Sequence, residues 1–176
     1  MHILQDILYK VHLLEVVGVT DIAVSSIAID SRKVIKGTAF IAIKGVAQDG
    51  HDYITKAIEL GAKVIVCENM PALLTDGVTY IKVANAQEAV AYMAHQFYDA
   101  PSTKIKLVGV TGTNGKTTIA TLLFKLFSSL DYTCGLVSTV QNQIGDQIIS
   151  ATHTTPDAVS LNELLNTMVD AGCTHV

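Results

Sequence analysis

Basic residues are scarce in this chain: 12 Lys and Arg stand against 16 Asp and Glu, for a formal net charge of −4, and they form no run. Capture of a nucleic acid needs many phosphates neutralised together, so no nucleic-acid partner is expected, and any anionic ligand must be held by local groups. Long apolar runs are missing too. No segment approaches the roughly 18–20 residues of a membrane-spanning helix, and Met1 to Lys10 has no basic stretch leading into an apolar one. The expected location is therefore the cytoplasm, with no membrane partner. Cysteine is confined to Cys67, Cys134 and Cys173, widely spaced in apolar runs. An odd number so placed reads as buried, reduced thiols rather than a disulfide framework or a thiolate metal site. Histidines 2, 12, 51, 95 and 175 lack metal-ligand spacing and are read as surface or core groups. Internal repeats and low-complexity segments are absent.

What the chain does have is apolar content, 49% of its 176 residues, ample for a packed core in one domain or in a small domain plus part of another. The first hundred residues read as a short helix around Ile3 to Leu14, then strands near Ser26 to Ile29 and Thr38 to Ile43. A helix from Asp52 to Leu60 follows, with Asp52 as N-cap and Gly61 at C′. Strands at Lys63 to Cys67 and Val78 to Val83 come next. Asn85-Ala86-Gln87-Glu88 reads as a capping box opening a helix that buries Val90, Met93, Ala94 and Phe97. Asp99-Ala100-Pro101-Ser102 breaks that helix, so the expected domains are 1–101 and 102–176.

The second domain opens on the chemistry. Ile105 to Thr111 is a β-branched and aliphatic strand, Gly112-Thr113-Asn114-Gly115-Lys116-Thr117-Thr118 a glycine turn, and Ile119, Leu122, Leu123, Leu126 and Leu130 recur at helical spacing after it. Glycines at 112 and 115 let backbone N–H groups curl round anionic oxygens. The helix N-terminus adds its positive end, Lys116 reaches the terminal phosphates, and the Thr117 hydroxyl is placed to ligate Mg²⁺. The strict P-loop pattern wants glycine where Val110 stands. Beyond the loop, the order is a strand at Thr133 to Ser138 completing a parallel crossover, and a hairpin around Gly145-Asp146. A helix capped by Asp157 and stopped by Gly172 comes next, then a strand opening at Cys173. So few parallel strands cannot be covered on both faces, and the chain is expected to be a fragment of a longer protein.

The Thr-Gly-Thr-Asn-Gly-Lys-Thr loop resembles the nucleotide loop of the Mur ligases and their folylpolyglutamate synthetase relatives. The resemblance extends over most of the chain. Asp30-Ser31-Arg32, Gly37 to Gly45, Asp49 to Ile54 and Ala57 to Ala62 are similar to the uridine-binding domain of two Mur ligase types, and His153-Thr154-Thr155-Pro156-Asp157 resembles the type that adds the third peptide residue. The fold implied is α/β: a small N-terminal α/β uridine-nucleotide-binding domain, then the incomplete start of a P-loop parallel-sheet ATPase domain.

The activity implied is ATP-dependent addition of meso-diaminopimelate or L-lysine to UDP-MurNAc-L-Ala-D-Glu, through an acyl phosphate, in peptidoglycan precursor synthesis. By the same resemblance Gly112 to Thr118 hold ATP and Mg²⁺, with Lys116 catalytic and Thr117 the metal ligand. Ile29, Ser31, Val46, Ala47 and Gln48 hold the uridine diphosphate end, and His153, Thr154 and Thr155 the muramyl-peptide side. Many members carry asparagine where His153 stands. On spacing alone Ser31 reads as a turn residue, Thr154 and Thr155 as an extended pre-proline loop, and Arg32 as a salt-bridged or solvated surface group. The alternatives are the D-Ala-D-Ala adding ligase and a UDP-sugar or nucleotide-binding module without turnover. The fragment by itself is expected to be inactive.

Overall fold

The computed structural model describes residues 2–45, 48–150 and 156–176. They fall into two compact units, Met1–Phe97 and Tyr98–Val176. This packing boundary precedes Pro101, which is buried in the second unit, where the 3-10 turn Pro101–Thr103 lies against the last helix.

The first unit runs β1 (His2–Ile3), α1 (Leu4–Ile7), β2 (Leu13–Val17), β3 (Ala23–Val24), β4 (Ser26–Ala28), β5 (Thr38–Ile41), α2 (Ile54–Glu59), β6 (Val64–Cys67), β7 (Thr79–Val83) and α3 (Ala86–Phe97). Its main sheet has the order β2-β7-β6-β5-β4; the last four strands are parallel and β2 is an antiparallel edge. The helix expected from Ile3 to Leu14 is only Leu4–Ile7. Lys10 has a φ of 66°, which ends the helical turn, and Leu13–Val17 instead pairs with Tyr80 to Val83. The apolar and β-branched residues of that segment suit an edge strand better than a helix face.

Register explains the core. Ala28, Phe40, Ile65 and Tyr80 stand opposite one another across four strands, and all belong to one buried cluster with Val34, Ala57 and Ala62. Alternation along the strands sends Ala39, Ile41, Val64, Val66 and Ile81 to the other face, where they are equally buried. Leu4 and Ile7 of α1 and Val90 and Met93 of α3 are buried too, and α1 packs against α3. Burial also pushes the Cys67 thiol up to about 11 from its ordinary 9.0. A group whose folded pKa is raised contributes stability that is intact below about pH 9 and declines as pH rises towards 11. Iodoacetamide at pH 8 should accordingly leave Cys67 unmodified in the folded chain and alkylate it in urea; equal labelling in both would contradict this burial.

The start of α2 differs from expectation. Asp49, not Asp52, is the capping carboxylate: its side chain accepts from the His51 N–H at 2.9 Å, and a 3-10 turn, Gly50–Tyr53, intervenes before Ile54. The end is as the glycine implied. The Gly61 N–H donates to Ile58 O and the Ala62 N–H to Ala57 O, both at 2.9 Å, a Schellman closure with Gly61 at φ +104°. A Cβ on Gly61 would lie 2.9 Å from the Lys36 Cα, a backbone atom that cannot swing aside. Gly61→Ala should therefore cost about 2–3 kcal/mol, read as a lower urea midpoint with an unchanged slope. At α3, Asn85 Oδ1 accepts from the Glu88 N–H at 3.0 Å, as the capping box implied, and Glu68 adds a carboxylate that accepts from the Ala86 N–H at 2.9 Å. Both satisfy donors that the first helical turn leaves open. The α3 burial follows the expected Val90, Met93 and Ala94, but Phe97 is only half-buried.

The second unit contains α4 (Lys116–Ser129), β8 (Gly135–Val137), β9 (Gln141–Ile144), β10 (Gln147–Ser150) and α5 (Ala158–Asp170). β8, β9 and β10 form an antiparallel meander turning at Gly145, φ +53°. Asp157 caps α5 through the Ser160 N–H at 2.9 Å, and Gly172 and Cys173 close it with a second Schellman pair onto Val169 and Met168. The segment expected as a strand from Ile105 to Thr111 forms no continuous strand and pairs through Lys106 and Val108 with residues 174–176. His175 bridges in parallel to both Lys106 and Cys134, so 174–176 lies between the two strands expected to form the crossover. They are parallel without being neighbours.

Ile105, Ile144, Leu165, Met168 and Cys173 make the core of this unit. The α4 stripe read from helical spacing is not part of it. Ile119, Leu122, Leu126 and Leu130 are 47–60% exposed, and α4 has no buried residue. Its inner side, Leu123, Phe124 and Phe127, faces an apolar cleft of about 200 Å³ shared with Leu107, Leu136 and Leu165. Spacing identifies an apolar face but does not specify what covers it.

Candidate phosphate and nucleotide sites

In the second unit the chain leaves the 105–111 segment at Thr111, turns through Gly112 to Gly115 and enters α4 at Lys116. Gly112 (φ +149°) and Gly115 (φ +79°) occupy backbone regions that favour glycine. An added Cβ would meet nothing closer than 3.8 Å at Gly112 or 3.9 Å at Gly115, so the protein's own packing does not demand glycine at either. Their positive-φ backbone conformation does. Gly115 is the N-cap and no side chain caps the helix, so the first-turn N–H groups face outward with the positive end of a 14-residue helix behind them.

The Lys116 ammonium folds back onto the loop, donating to the Gly112 and Thr113 carbonyls. Thr113, Asn114 and Thr118 are exposed along the same turn. The Thr117 hydroxyl lies 3.3 Å from the Thr139 hydroxyl just beyond β8. Concave free amides, an ammonium and a hydroxyl on one loop fit a magnesium-bound polyphosphate. A metal held by protein side chains alone fits less well: among the described residues, no group of three His, Cys, Asp or Glu could bind an ion.

In the first unit the loops after β4, β5 and β6 lie together at the carboxyl edge of the parallel strands, where open α/β sheets bind ligands. Ile29 is half-buried, and Ser31, only 7% exposed, starts a 3-10 turn, Ser31–Lys33, capped by Asp30. Arg32 forms a paired contact with Asp30 at 2.7–3.1 Å, and those hydrogen bonds hold the Asp30 carboxyl at about 2. After β5, Lys44 and Asp49 pair as a bridge and the Gly45 N–H donates to Gln48 O at 2.9 Å, leaving Gln48 exposed. Gln48 and Ser31 thus share one edge of the sheet. Val46, Ala47, His153, Thr154 and Thr155 lie outside the described residues.

One group at this edge escaped the sequence reading. His51 is anchored on three sides: its Nδ1 is 2.6 Å from Asp49 Oδ1, and its Nε2 accepts from the N–H groups of Glu68 at 3.2 Å and Asn69 at 3.3 Å. The Asp49-Gly50-His51 spacing was visible in the sequence; its partners after β6 were not. No helix among the described residues is long and apolar enough to cross a membrane.

Comparison with known proteins gives two family matches. Residues 23–98 match the Mur ligase family catalytic domain, and residues 110–176 match the Mur ligase middle domain. The chain is 55% identical over 173 residues to the UDP-N-acetylmuramoyl-L-alanyl-D-glutamate--2,6-diaminopimelate ligase of Cytophaga hutchinsonii, and 50% identical to the protein of that name from Bacteroides fragilis. It aligns over 98% of its own length with each, but spans only 36% of theirs. A solved structure of a ligase with the same name superposes with a TM-score of 0.78 at 25% identity, covering 98% of this chain and 34% of that one. The MurF ligase of Thermotoga maritima, in complex with ADP, matches 62% of this chain and 24% of its own at a TM-score of 0.50 and 29% identity.

Proposed function

The chain belongs to the Mur ligase family, and from that premise we propose that the protein carrying it joins 2,6-diaminopimelate to UDP-MurNAc-L-Ala-D-Glu at the expense of ATP. The observation that carries this reading is the 50–55% identity, over nearly all of this chain, to relatives named for that reaction. Diaminopimelate is chosen over lysine because those relatives' names specify it. The D-Ala-D-Ala adding reaction has weaker support, since the MurF neighbour covers less of the chain at a lower TM-score. The proposed product is a peptidoglycan precursor made in the cytoplasm, with residues 1–101 as the UDP-MurNAc domain and 102–176 as the beginning of the ATPase domain.

In this reading the amides of Gly112 to Thr118 bind the phosphate oxygens, and the Thr117 hydroxyl is one ligand of Mg²⁺. Lys116 leaves the Gly112 and Thr113 carbonyls and places its ammonium against the terminal phosphate. There it offsets negative charge as the phosphoryl group moves, which is the main contribution expected of such loops. ATP supplies the phosphoryl group that activates the D-glutamyl carboxylate towards the incoming amine. Ile29, Ser31, Val46, Ala47 and Gln48 orient the uridine diphosphate, and His153, Thr154 and Thr155 the muramyl-peptide side.

The test is phosphate release by the full-length protein. It should require UDP-MurNAc-L-Ala-D-Glu, ATP, Mg²⁺ and diaminopimelate together, while the 176-residue chain alone should give none. Consumption of only the tripeptide form with D-Ala-D-Ala would reject this assignment in favour of the other ligase.

A further inference from the structure

We propose that His51 is a positioning residue for the uridine-diphosphate end of the substrate, acting by tying the turn after β5 to the backbone after β6. The inference rests on the function proposed above and adds a residue to which no ligand contact is assigned.

The ladder between β5 and β6 extends to Ala42, whose N–H donates to Val66 O at 2.8 Å. Beyond that point the chain turns away from β6 and closes on itself. Lys44 pairs with Asp49, the Gly45 N–H reaches Gln48 O, and the Gly50 N–H returns to Ile43 O at 2.9 Å. A Cβ on Gly50 would stand 2.6 Å from Ile43 N, so this closure is backbone against backbone. The link across to the β6 side is then the imidazole of His51. Its Nε2 accepts two backbone N–H groups, Glu68 and Asn69, so that nitrogen carries no proton; the ring proton sits on Nδ1 and is donated to Asp49 Oδ1. Asp49 Oδ1 also takes the His51 N–H, and both bonds hold the Asp49 carboxyl below the usual carboxylate range. Glu68 in turn accepts from the Ala86 N–H at the start of α3.

The segment that follows Gln48 is therefore braced against the backbone after β6 rather than hanging from the end of a strand. Bracing a turn before ligand arrives removes an ordering cost from binding, so its loss weakens affinity without touching the reacting atoms. The side chain is only 14% exposed, and its ring nitrogens are already engaged, so it acts through the turn rather than by direct contact with substrate.

The test uses three variants of the full-length protein. His51→Ala removes the link; His51→Gln places a carboxamide oxygen near the Nε2 position and can still accept from Glu68 and Asn69; His51→Asn is too short to cross. Binding of UDP and of UDP-MurNAc-L-Ala-D-Glu is measured by calorimetry, and KM for each substrate and kcat by phosphate release. The alanine and asparagine variants should bind both uridine ligands about tenfold more weakly, with KM for ATP and kcat at saturation within about twofold of the parent, and the glutamine variant should recover most of the affinity. An unchanged affinity in His51→Ala overturns the proposal, as does an equal loss in all three variants. If the alanine variant does not fold by circular dichroism, the glutamine and asparagine pair decides, and equal affinities reject the link. A parent protein that binds neither uridine ligand removes the function itself; a parent that binds beside an unaffected alanine variant removes only the role of His51.

Discussion

Under the proposed function, Lys116→Ala in the full-length protein should lower ATP-dependent turnover by about a hundredfold or more, the scale of losing one preorganised group that stabilises transition-state charge. The fold should survive. Lys116 is exposed at the first position of α4, its bonds run only to the Gly112 and Thr113 carbonyls, and α4 itself has no buried residue. The loss should therefore appear in the rate of phosphate release while the thermal midpoint moves by no more than a surface substitution causes. Turnover equal to that of the parent protein would remove Lys116 from the chemistry. A large drop in thermal midpoint would instead make the two carbonyl contacts structural.

Phe40→Ala should have the largest effect on stability in the first unit, about 3–5 kcal/mol. Phe40 is 1% exposed on a strand paired on both sides, and its register row sets it between Ala28 and Ile65 with Tyr80 one strand further. Ala28 is too small to fill the space left behind, and both neighbouring strands are fixed by hydrogen bonds, so the site cannot collapse. Urea unfolding followed by far-ultraviolet circular dichroism measures it. A cost below about 1 kcal/mol would show that the Ala28-Phe40-Ile65-Tyr80 row is not the packed centre of the sheet.

Local signals were legible where their chemistry is complete within a few residues. Gly61 and Gly172 were readable as helix stops because a positive φ at C′ is a demand on one residue, and both close as Schellman pairs. Asp157 and Asn85 were readable as caps because their acceptors lie three residues from the donors they serve. The turn from Gly112 to Gly115 and the start of α4 at Lys116 were legible for the same reason: positive φ at two glycines and a helix N-terminus are local demands with no distant partner needed.

The misreadings have a common cause. Leu13 and Leu14 were taken into a helix because an apolar run fits either period, and what decided for a strand was β7, more than sixty residues away in sequence. Asp52 was read as the cap, where the structure uses Asp49, because the 3-10 turn between Asp49 and α2 leaves little periodic trace. The helical spacing of the α4 stripe was read correctly, but spacing does not say what, if anything, covers an apolar face.

The sequence by itself determined the helix stops at Gly61 and Gly172, the caps at Asn85 and Asp157, the glycine turn ahead of α4 and the family resemblance, because each rests on residue types at short fixed spacing. Tertiary structure alone decided the placement of residues 174–176 between the two strands flanking α4, the row of side chains through Phe40, and the anchoring of His51 to Glu68 and Asn69. Each depends on backbone groups that every residue carries in the same form, whether they pair with one another or with the His51 ring, so no local pattern announces them, and only the closure of the sheet selects which N–H meets which acceptor.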